Sequence, residues 1–450
     1  MSRLLLLAAC LLLLGAASAA AQAAPPAEAA PARRPPNVLF LAIDDLRPEL
    51  GCYGAGAVRT PHIDALAADG VTFLRHYVEV PTCGASRYAL LTGRSARSSG
   101  ARRGNAHFYQ GPTALAPQAL EGAQTFPELF RRSGYRTELI GKLSHTPDGR
   151  VYAYDGSGDG RPELPHAWDH YATPYGAWKR GWGSFFAYAD GLHREDGGGH
   201  RDLMQFTAEN DDDLPDGQMA AAAERRLAAL AATEEPFFLA VGFFKPHLPF
   251  VATRADWEAV QDWPVPAPQH EGLADSPYAT TSGEFYGYSF PFEKTRPLDE
   301  ASTRTARLAY LACVRYVDRQ VGRVLAALDA HGLAENTVVV LWSDHGWYLG
   351  EDGMWGKHTP LERAMHSPLI VRAPGVSVPG HRTTALASSL DVYPTLVELC
   401  APDFRRTAHP LDGVSLAPLL RGEDVALRDA VEGWWGKVRT VRTESGRTFQ

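Results

Sequence analysis

The chain has 450 residues, of which 45% are hydrophobic and 21% charged, a composition that is typical of globular proteins and excludes a disordered or fibrous chain. Its 44 basic and 52 acidic residues give a net charge of −8, and because no basic block interleaves with aromatic residues, a nucleic-acid-binding surface is not expected. The 5 cysteines are too few for a disulfide scaffold, and none forms a CxxC pair, which excludes a zinc ribbon or a thioredoxin-type site.

The N-terminal residues have the pattern of an export signal. Arg3 is followed by an apolar run over residues 4–14 and then by an A-x-A sequence, which predicts a signal peptide over residues 1–19. The apolar run is too short to cross a bilayer, so no stable membrane insertion is expected. Because the run continues past Cys10, lipid attachment there is disfavoured. An Ala/Pro-rich linker over residues 20–36 follows, and we expect a periplasmic or extracellular protein.

Strand-like and helix-like segments alternate after the linker. Continuous apolar runs of strand length, typical of strands buried on both faces, occupy residues 37–43, 135–140, 236–243 and 337–342. Helical patterns occupy residues 60–70, 125–134 and 302–331, and the second begins with a capping-box pattern formed by Thr125 and Glu128. This alternation predicts an α/β fold with a mostly parallel sheet between helices. The Gly-, Pro- and aromatic-rich segments 145–215 and 244–298 are expected to be irregular and to form the walls of a cleft.

Two of the predicted strands are followed by acidic residues. Asp44 and Asp45 follow the first apolar run, and Asp344 and His345 follow the last one. Open parallel sheets bind ligands at the carboxyl ends of their strands, so these side chains are expected to meet. Clustered carboxylates repel one another unless a cation lies between them, and oxygen ligands favour Ca²⁺ or Mg²⁺ over zinc. The alternative is that each Asp only caps the next turn, but two acidic residues in sequence favour a metal site.

A second candidate site lies at Cys83, where small residues are followed by a helical stretch. This pattern places Cys83 at a helix N-terminus, where the helix dipole favours an anion, and Arg87 one turn later on the same face. The alternative is a buried structural cysteine, the commoner fate of a lone cysteine.

These residues resemble the signatures of a known family. CGASRYALLTG, from Cys83 to Gly93, resembles the C-x-[PA]-x-R…LTG signature of the type I sulfatases, in which the cysteine is oxidised to formylglycine. GYRTELIGKLSH, from Gly134 to His145, resembles the second signature of that family. Further matches follow in the family's order, from Asn37 to about Pro394. The segments KPHLPF at 245–250 and DHGW at 344–347 are most similar to the iduronate-2-sulfatase branch.

The resemblance implies a fold and a reaction. The fold would be alkaline-phosphatase-like, and the reaction would be hydrolysis of sulfate monoesters on sulfated carbohydrates, such as glycosaminoglycan-like fragments. The catalytic domain would span residues 37–400. Residues 401–450 resemble the start of the family's small C-terminal subdomain, which we expect to be incomplete, with an exposed sheet edge.

The resemblance also implies the nucleophile and the metal ligands. Formylglycine formed from Cys83 would be hydrated, so that one hydroxyl attacks the sulfur and the second later expels sulfate. One Ca²⁺ ion would be held by the residue-83 oxygen and by the side chains at the two strand ends, which together make the ligand set Asp44, Asp45, Cys83, Asp344 and His345.

The other functional side chains implied by the resemblance fall into three groups. The positive charges expected to neutralise the sulfate oxygens are those of Arg87, Lys142 and Lys357. His247 is expected to protonate the leaving oxygen, and His145 to act as the base that regenerates the aldehyde. Lys245 is a candidate for substrate binding, as is Trp347, which could stack on a sugar ring.

Each assignment has a plainer alternative. Lysines usually lie at the surface, His247 between two prolines can be a rigid loop residue, and Trp347 can simply pack. Trp178 and Trp182 in the first insertion suit an anionic sugar polymer, but they too can be loop packing. Ala85 replaces the commoner proline of the signature, which leaves open which formylglycine-generating maturation enzyme accepts this chain.

Three other functions are weighed against a sulfatase. One is a phosphate or phosphonate ester hydrolase of the alkaline phosphatase superfamily, which would use the same metal ligands. Another is an exported protein that binds sulfated glycans without turnover. A plain cysteine hydrolase is disfavoured, because a carboxylate cluster raises the pKa of a neighbouring thiol.

Overall fold

A sheet of eight strands lies at the centre of the protein in the computed structural model. The structure describes residues 34–449 except for residues 57, 270, 271, 273–275 and 282, so the predicted signal peptide, Cys10 and most of the linker lie outside the described residues. The strands, in chain order, are β1 (Asn37–Ile43), β2 (Val71–Phe73), β3 (His76–Tyr77), β4 (Arg136–Gly141), β5 (His170–Tyr171), β6 (Met204–Ala208), β7 (Phe237–Phe243), β8 (Phe250–Thr253), β9 (Thr337–Ser343), β10 (Tyr348–Leu349), β11 (Trp355–Gly356), β12 (Leu369–Arg372), β13 (His381–Thr383), β14 (Ala387–Ser388), β15 (Ala430–Trp435), β16 (Val438–Thr443) and β17 (Thr448–Phe449).

Helices pack on the sheet. In chain order they are α1 (Pro61–Asp69), α2 (Cys83–Thr92), α3 (Ala96–Ser99), α4 (Phe126–Arg132), α5 (Gly181–Phe185), α6 (Pro215–Ala231), α7 (Arg254–Val260), α8 (Glu300–Ala330), α9 (Glu362–Met365), α10 (Val392–Cys400) and α11 (Ala417–Leu420). Within the described part of the chain, no helix is both long enough and apolar enough to cross a membrane.

The predicted α/β fold with a mostly parallel sheet is confirmed. The strand order is β13-β2-β12-β9-β1-β7-β4-β5, and the strands from β9 to β5 are all parallel. β12 is the exception, because it lies antiparallel between β9 and β2. The four predicted strands are β1, β4, β7 and β9, and they form the contiguous centre of the sheet.

The central strand β1 explains why its sequence is a continuous apolar run. All seven of its residues are buried. Leu39, Leu41 and Ile43 belong to one large apolar cluster, and the alternate residues belong to a second cluster on the opposite face. A strand covered on both faces needs apolar side chains at every position rather than at every second one.

The capping box predicted at the start of α4 is wrong. Thr125 is the N-cap residue, but its side chain accepts no capping hydrogen bond, and Glu128 accepts instead from the backbone N–H of Gln124, at 2.8 Å. A cap residue normally accepts from the second or third helical N–H group. Here the second helical residue is Pro127, which has no N–H to donate.

The two predicted insertions are less irregular than their composition suggests. β5, in the first insertion, adds a parallel strand to the edge of the central sheet beside β4. β6 and β8 come from different insertions and pair with each other, which joins the two segments into one wall. Backbone pairing of this kind between distant segments leaves no periodic signal in a short strand.

The C-terminal residues form a separate antiparallel sheet of β15, β16 and β17. The backbone N–H of Trp434 in β15 donates to the carbonyl of Glu79, at 2.7 Å. The Trp434 ring packs with Val80, Ala85 and Ala96. This small sheet therefore lies against the segment that leads into α2.

Candidate active site at two strand ends

The register of β1 and β9 brings the two acidic strand ends together. Ile43 is paired with Ser343 in the parallel ladder, so Asp44 and Asp344 leave the same edge of the sheet side by side. The backbone N–H of Asp45 donates to Oδ1 of Asp344, at 3.1 Å. All of these side chains are buried, as is His345.

Asp45 is held in an uncommon backbone conformation. Its φ is +63°, in the left-handed region that non-glycine residues seldom adopt. The hydroxyl of Tyr310, from α8, donates to the carbonyl of Asp45 at 2.8 Å and accepts from the N–H of Arg47 at 3.0 Å. Ser343 Oγ accepts from the N–H of Leu46 at 3.0 Å. Tyr310 and Ser343 thus fix the turn that aims Asp45 into the site, whereas the sequence indicated only that Tyr310 lies within the predicted helix over residues 302–331.

Cys83 is the first residue of α2, as its sequence context predicts. Its neighbour Gly84 has no room for a side chain, because a Cβ there would lie 2.2 Å from Cα of Asn105. The side chain of Asn105 uses this close approach, since its Oδ1 accepts from the N–H of Gly84 at 2.9 Å. Asn105 therefore satisfies a helix-end donor from a distant loop, a role for which the sequence carries no local signal.

The thiol of Cys83 points into the strand-end cluster. Its Sγ lies 3.5 Å from Asp44 Oδ1, 3.4 Å from His345 Nε2 and 3.3 Å from Lys357 Nζ. Burial and the neighbouring Asp44 carboxylate raise the pKa of the Cys83 thiol to about 12. An unmodified Cys83 is therefore a protonated thiol near neutral pH and a poor nucleophile.

Three buried cations surround the carboxylates. Arg87 Nε donates to Asp344 Oδ2 at 2.9 Å, and its Nη2 lies 3.3 Å from Asp44 Oδ2. Lys142 Nζ lies 2.5 Å from the same Asp44 oxygen. Lys357 Nζ lies 2.6 Å from Asp45 Oδ1. These lysines are not surface residues, and the positive charge they supply is aimed at the space above Cys83.

The donor set fits a divalent cation. One ligand atom each from Asp44, Cys83, Asp344 and His345 can be chosen so that all lie within 4.8 Å of one another. Burial and the Asp44 carboxylate raise the pKa of Asp45, although Lys357 opposes this shift, so a cation could take the place of a proton there. Oδ2 of Asp45 is buried and accepts no hydrogen bond from the described residues. The residues thus supply what a hard metal ion requires.

The two predicted catalytic histidines flank the cluster. His247 follows β7, and its Nδ1 donates to the carbonyl of Leu248 at 2.7 Å, which turns Nε2 toward Asp45 Oδ2, 3.8 Å away. Burial and the positive charge of Lys357 hold the pKa of His247 well below its usual value. His145 is also buried, and burial and Lys142 lower its pKa. Both rings are therefore neutral near neutral pH.

The predicted substrate-binding residues occupy different surroundings. Lys245 is buried, and its Nζ donates to the carbonyls of His247 and Pro249 at 3.0 and 2.6 Å, so it braces the loop that carries His247. Trp347 is only 1% exposed and packs in the core, with Lys357 Nζ 5.2 Å from its ring centroid. Neither side chain faces open space where a sugar could lie.

An aromatic layer that sequence analysis did not place packs against the predicted catalytic side chains. Lys142 Nζ lies 4.0 Å from the ring centroid of Phe185, and the His247 ring lies 4.6 Å from the same ring. The His145 ring lies 5.5 Å from that of Trp182. Trp178 and Trp182 are both buried, so their role in this structure is packing. The only sequence signal for this layer was the aromatic content of the first insertion.

Comparison with known proteins relates this arrangement to one family. The family model described as Sulfatase matches residues 36–401. Iduronate 2-sulfatase of Mus musculus is 32% identical over 361 residues, which cover 76% of this chain and 60% of that protein. The Homo sapiens iduronate 2-sulfatase is 31% identical over 410 residues, 86% of this chain and 68% of that protein. A phosphonate monoester hydrolase from Silicibacter pomeroyi has a similar structure, with a TM-score of 0.69 and 26% identity over 88% of this chain and 79% of that one. The matched family range includes both strand ends and the start of α2.

Proposed function

This chain belongs to the sulfatase family, as its signatures predict, and from that premise we propose that it hydrolyses sulfate monoesters of carbohydrates. The observation that carries the proposal is the buried position of Cys83 at the head of α2, within 3.5 Å of a carboxylate, an imidazole and an ammonium group. A thiol with a raised pKa is of little use there, whereas a formylglycine in its place would be surrounded by the groups that sulfate hydrolysis requires.

Two groups absent from the unmodified polypeptide complete the proposal. Oxidation of Cys83 by a formylglycine-generating enzyme supplies an aldehyde whose hydrate carries the nucleophilic hydroxyl. A Ca²⁺ ion, held by Asp44, Asp45, Asp344 and His345, would lower the pKa of that hydroxyl and withdraw negative charge from the sulfate. The oxygen-rich donor set favours Ca²⁺ or Mg²⁺ over zinc.

The chain's own residues would bind and orient the sulfate. Lys142 pairs with Asp44 and Lys357 pairs with Asp45, so each lysine is held beside a different proposed metal ligand. Arg87 is fixed by Asp344 and by the carbonyls of residues 142 and 143, so its guanidinium cannot move away as charge builds in the transition state. Preorganised positive charge in a buried site is the largest contribution that such a site can make to the rate.

We assign His247 as the acid that donates a proton to the leaving oxygen. Its Nδ1–H is committed to the carbonyl of Leu248, so Nε2 is the nitrogen that exchanges a proton with the substrate. Because the pKa of the buried ring is lowered, the ring must gain a proton when the negatively charged sulfate ester binds, and the protonated ring would then donate readily to the leaving oxygen. His145 remains the proposed base for the second half of the reaction, since it is buried near Lys142 and its Nδ1 has no hydrogen-bond partner among the described residues.

The proposed location is outside the cytoplasm. The sequence pattern of residues 1–19 supports export. Sulfated carbohydrate is the proposed substrate because the two iduronate 2-sulfatases that this chain resembles are named for a sulfated sugar.

The experiment that tests the proposal combines mass spectrometry with sulfate release. Protein from its natural host, or co-expressed with a maturation enzyme, is expected to contain formylglycine at position 83 and to release sulfate from a panel of sulfated sugars. If protein from the natural host carries unmodified cysteine at position 83 and still binds sulfated oligosaccharides tightly, the chain is instead a binding protein without turnover.

A second candidate function is hydrolysis of phosphonate or phosphate esters, favoured by the structural likeness to the phosphonate monoester hydrolase. The same matured protein is assayed on phenyl phosphonate and aryl phosphate esters. A kcat/KM for these esters above that for every sulfated sugar would reverse our preference.

A further inference from the structure

A charged pair, Arg194 and Glu284, lies beside the proposed general acid His247. Nε2 of His247 is 3.9 Å from Oε1 of Glu284, and the same oxygen is 3.7 Å from Nη1 of Arg194. The Arg194 guanidinium lies over Phe186, 3.3 Å from the ring centroid, and its Nη1 also donates to the hydroxyl of Tyr288 at 3.1 Å. Arg194 is thus rigidly seated and holds the Glu284 carboxylate near His247.

Tyr154 presents an aromatic ring to solvent next to this pair. It is 45% exposed, and the Arg194 guanidinium lies 5.8 Å from its ring centroid. Its ring makes edge contacts with Trp182 at 4.5 Å and Phe186 at 5.7 Å, so the aromatic layer beneath fixes its orientation. Burial raises the pKa of Tyr154, Arg194 and Lys142 oppose that shift, and Glu284 and Cys83 add to it.

We propose that Tyr154 and Glu284 form the binding wall for the sugar ring whose sulfate ester is cleaved. Tyr154 stacks against the apolar face of the ring, and Glu284 accepts a hydrogen bond from a free hydroxyl next to the ester oxygen. Oε1 of Glu284 lies 3.9 Å from the His247 nitrogen that would protonate the ester oxygen, so a hydroxyl on the neighbouring sugar carbon can reach this carboxylate. The inference rests on the proposed function and narrows its substrate class to sulfated sugars with an adjacent free hydroxyl.

Charge and rigidity support this assignment. An exposed aromatic ring is the side chain that carbohydrate C–H faces pack on, and its burial by a ligand removes apolar area from water. A carboxylate is an acceptor only, so beside a leaving oxygen it can bind a hydroxyl but repels a second sulfate. Arg194 Nη1 lies 3.7 Å from the Glu284 carboxylate and so holds it in place beside His247.

The first test measures binding in a Cys83→Ala background, which lacks the proposed nucleophile and therefore should not hydrolyse the probe. The probes are a heparin-derived sulfated disaccharide and 4-nitrophenyl sulfate, which has no sugar, with affinities measured by calorimetry. Tyr154→Ala is expected to lower the affinity for the disaccharide about three- to tenfold, and Glu284→Gln about tenfold. The affinity for 4-nitrophenyl sulfate should change less than about twofold in either variant. Tyr154→Phe, which keeps the ring, is expected to match the parent.

The matched control for Glu284 is Glu195→Gln. Glu195 also pairs with Arg194, at Nε and 2.7 Å, but the structure records no ion pair between it and His247. This variant is expected to retain disaccharide affinity, and thermal unfolding of each variant shows whether the fold is intact.

The second test uses matured protein with intact Cys83 and compares kcat/KM on the two probes. A selective loss on the disaccharide in Tyr154→Ala and Glu284→Gln supports the wall. Equal losses on both probes, or no loss on either, overturn it. If wild-type protein hydrolyses neither probe but the selective loss of binding persists, the proposed hydrolysis fails while the sugar wall stands.

Discussion

The strand-end cluster and the wall formed by Tyr154 and Glu284 are built in different ways. The cluster comes from the ends of β1 and β9 and the head of α2, and its ion pairs are as short as 2.5 Å between fully buried groups. The wall comes from the two insertions, its side chains are partly exposed, and the ion-pair distances of Glu284 are 3.7–3.9 Å. The groups proposed to bind sulfate are thus positioned by the sheet, whereas the groups proposed to face the sugar lie on loops, which can vary without disturbing the sheet.

The largest effect should come from removing the nucleophile at the centre of the cluster. We expect Cys83→Ala to lower sulfate release on the order of 1000-fold or more, because no other side chain in the cluster can take its place. Cys52→Ala removes a half-buried thiol elsewhere and is expected to leave the rate unchanged. Substantial turnover by Cys83→Ala would place the nucleophile elsewhere.

Stability of the cluster should depend on Arg87, which is fully buried between Asp44 and Asp344. Arg87→Ala leaves both carboxylates without their shared cation, so the free energy of unfolding should fall by about 3–5 kcal/mol in urea titrations with a chelator present. The exposed Arg97, paired with Glu432, offers the contrast, since Arg97→Ala should cost less than about 1 kcal/mol. Similar losses for the two variants would show that burial does not distinguish these pairs.

The turn that aims Asp45 can be loosened without touching the proposed metal ligands. Tyr310→Phe removes the hydroxyl that bonds Asp45 and Arg47, and we expect Ca²⁺ affinity, measured by calorimetry, to fall about 10- to 100-fold. Tyr316 on the same helix makes an equivalent pair of hydrogen bonds to residues 211 and 217. Tyr316→Phe should therefore lower stability by a similar amount yet keep Ca²⁺ affinity, and equal affinities in both variants would refute the positioning role.

The smallest effect should come from Asp216, which binds the backbone at the start of the loop that carries His247, and it should be seen in the pH dependence of stability. Asp216 accepts from the N–H groups of Phe244 and Lys245, and burial raises its pKa to about 6, above the unfolded value of 3.8. The folded protein therefore binds this proton more tightly, so its contribution to the free energy of unfolding is full below pH 4 and is lost as pH rises to about 6.

Asp216→Asn should remove that part of the pH dependence. The substitution keeps Oδ1, which accepts both hydrogen bonds, and replaces Oδ2, which has no hydrogen-bond partner among the described residues. Urea unfolding at pH 4, 5, 6 and 7 measures the slope. An unchanged slope in the variant would assign the titration to another group.

Much of the cluster could be predicted because its signals are local. Asp44 and Asp45 follow a run of apolar residues, and Cys83 and Arg87 are one helical turn apart. The helix cap at Thr125 failed despite a good local pattern: Pro127 removes one of the two N–H groups that a cap can accept from, and the Thr125 side chain accepts from neither. Lys245 and Trp347 had the right neighbours in sequence, yet the structure turns both inward.

The amino-acid sequence by itself determined the α/β class, the four segments that form the central strands and the family signatures. These depend on short segments, in which burial on both faces demands continuous apolar runs and each signature lies within one stretch of neighbouring residues. Only the tertiary structure decided that Tyr310 supports Asp45 across 265 residues and that Glu284 lies beside His247. Such contacts join segments that have no common periodicity, and their geometry is set by how helices and insertions pack on the sheet.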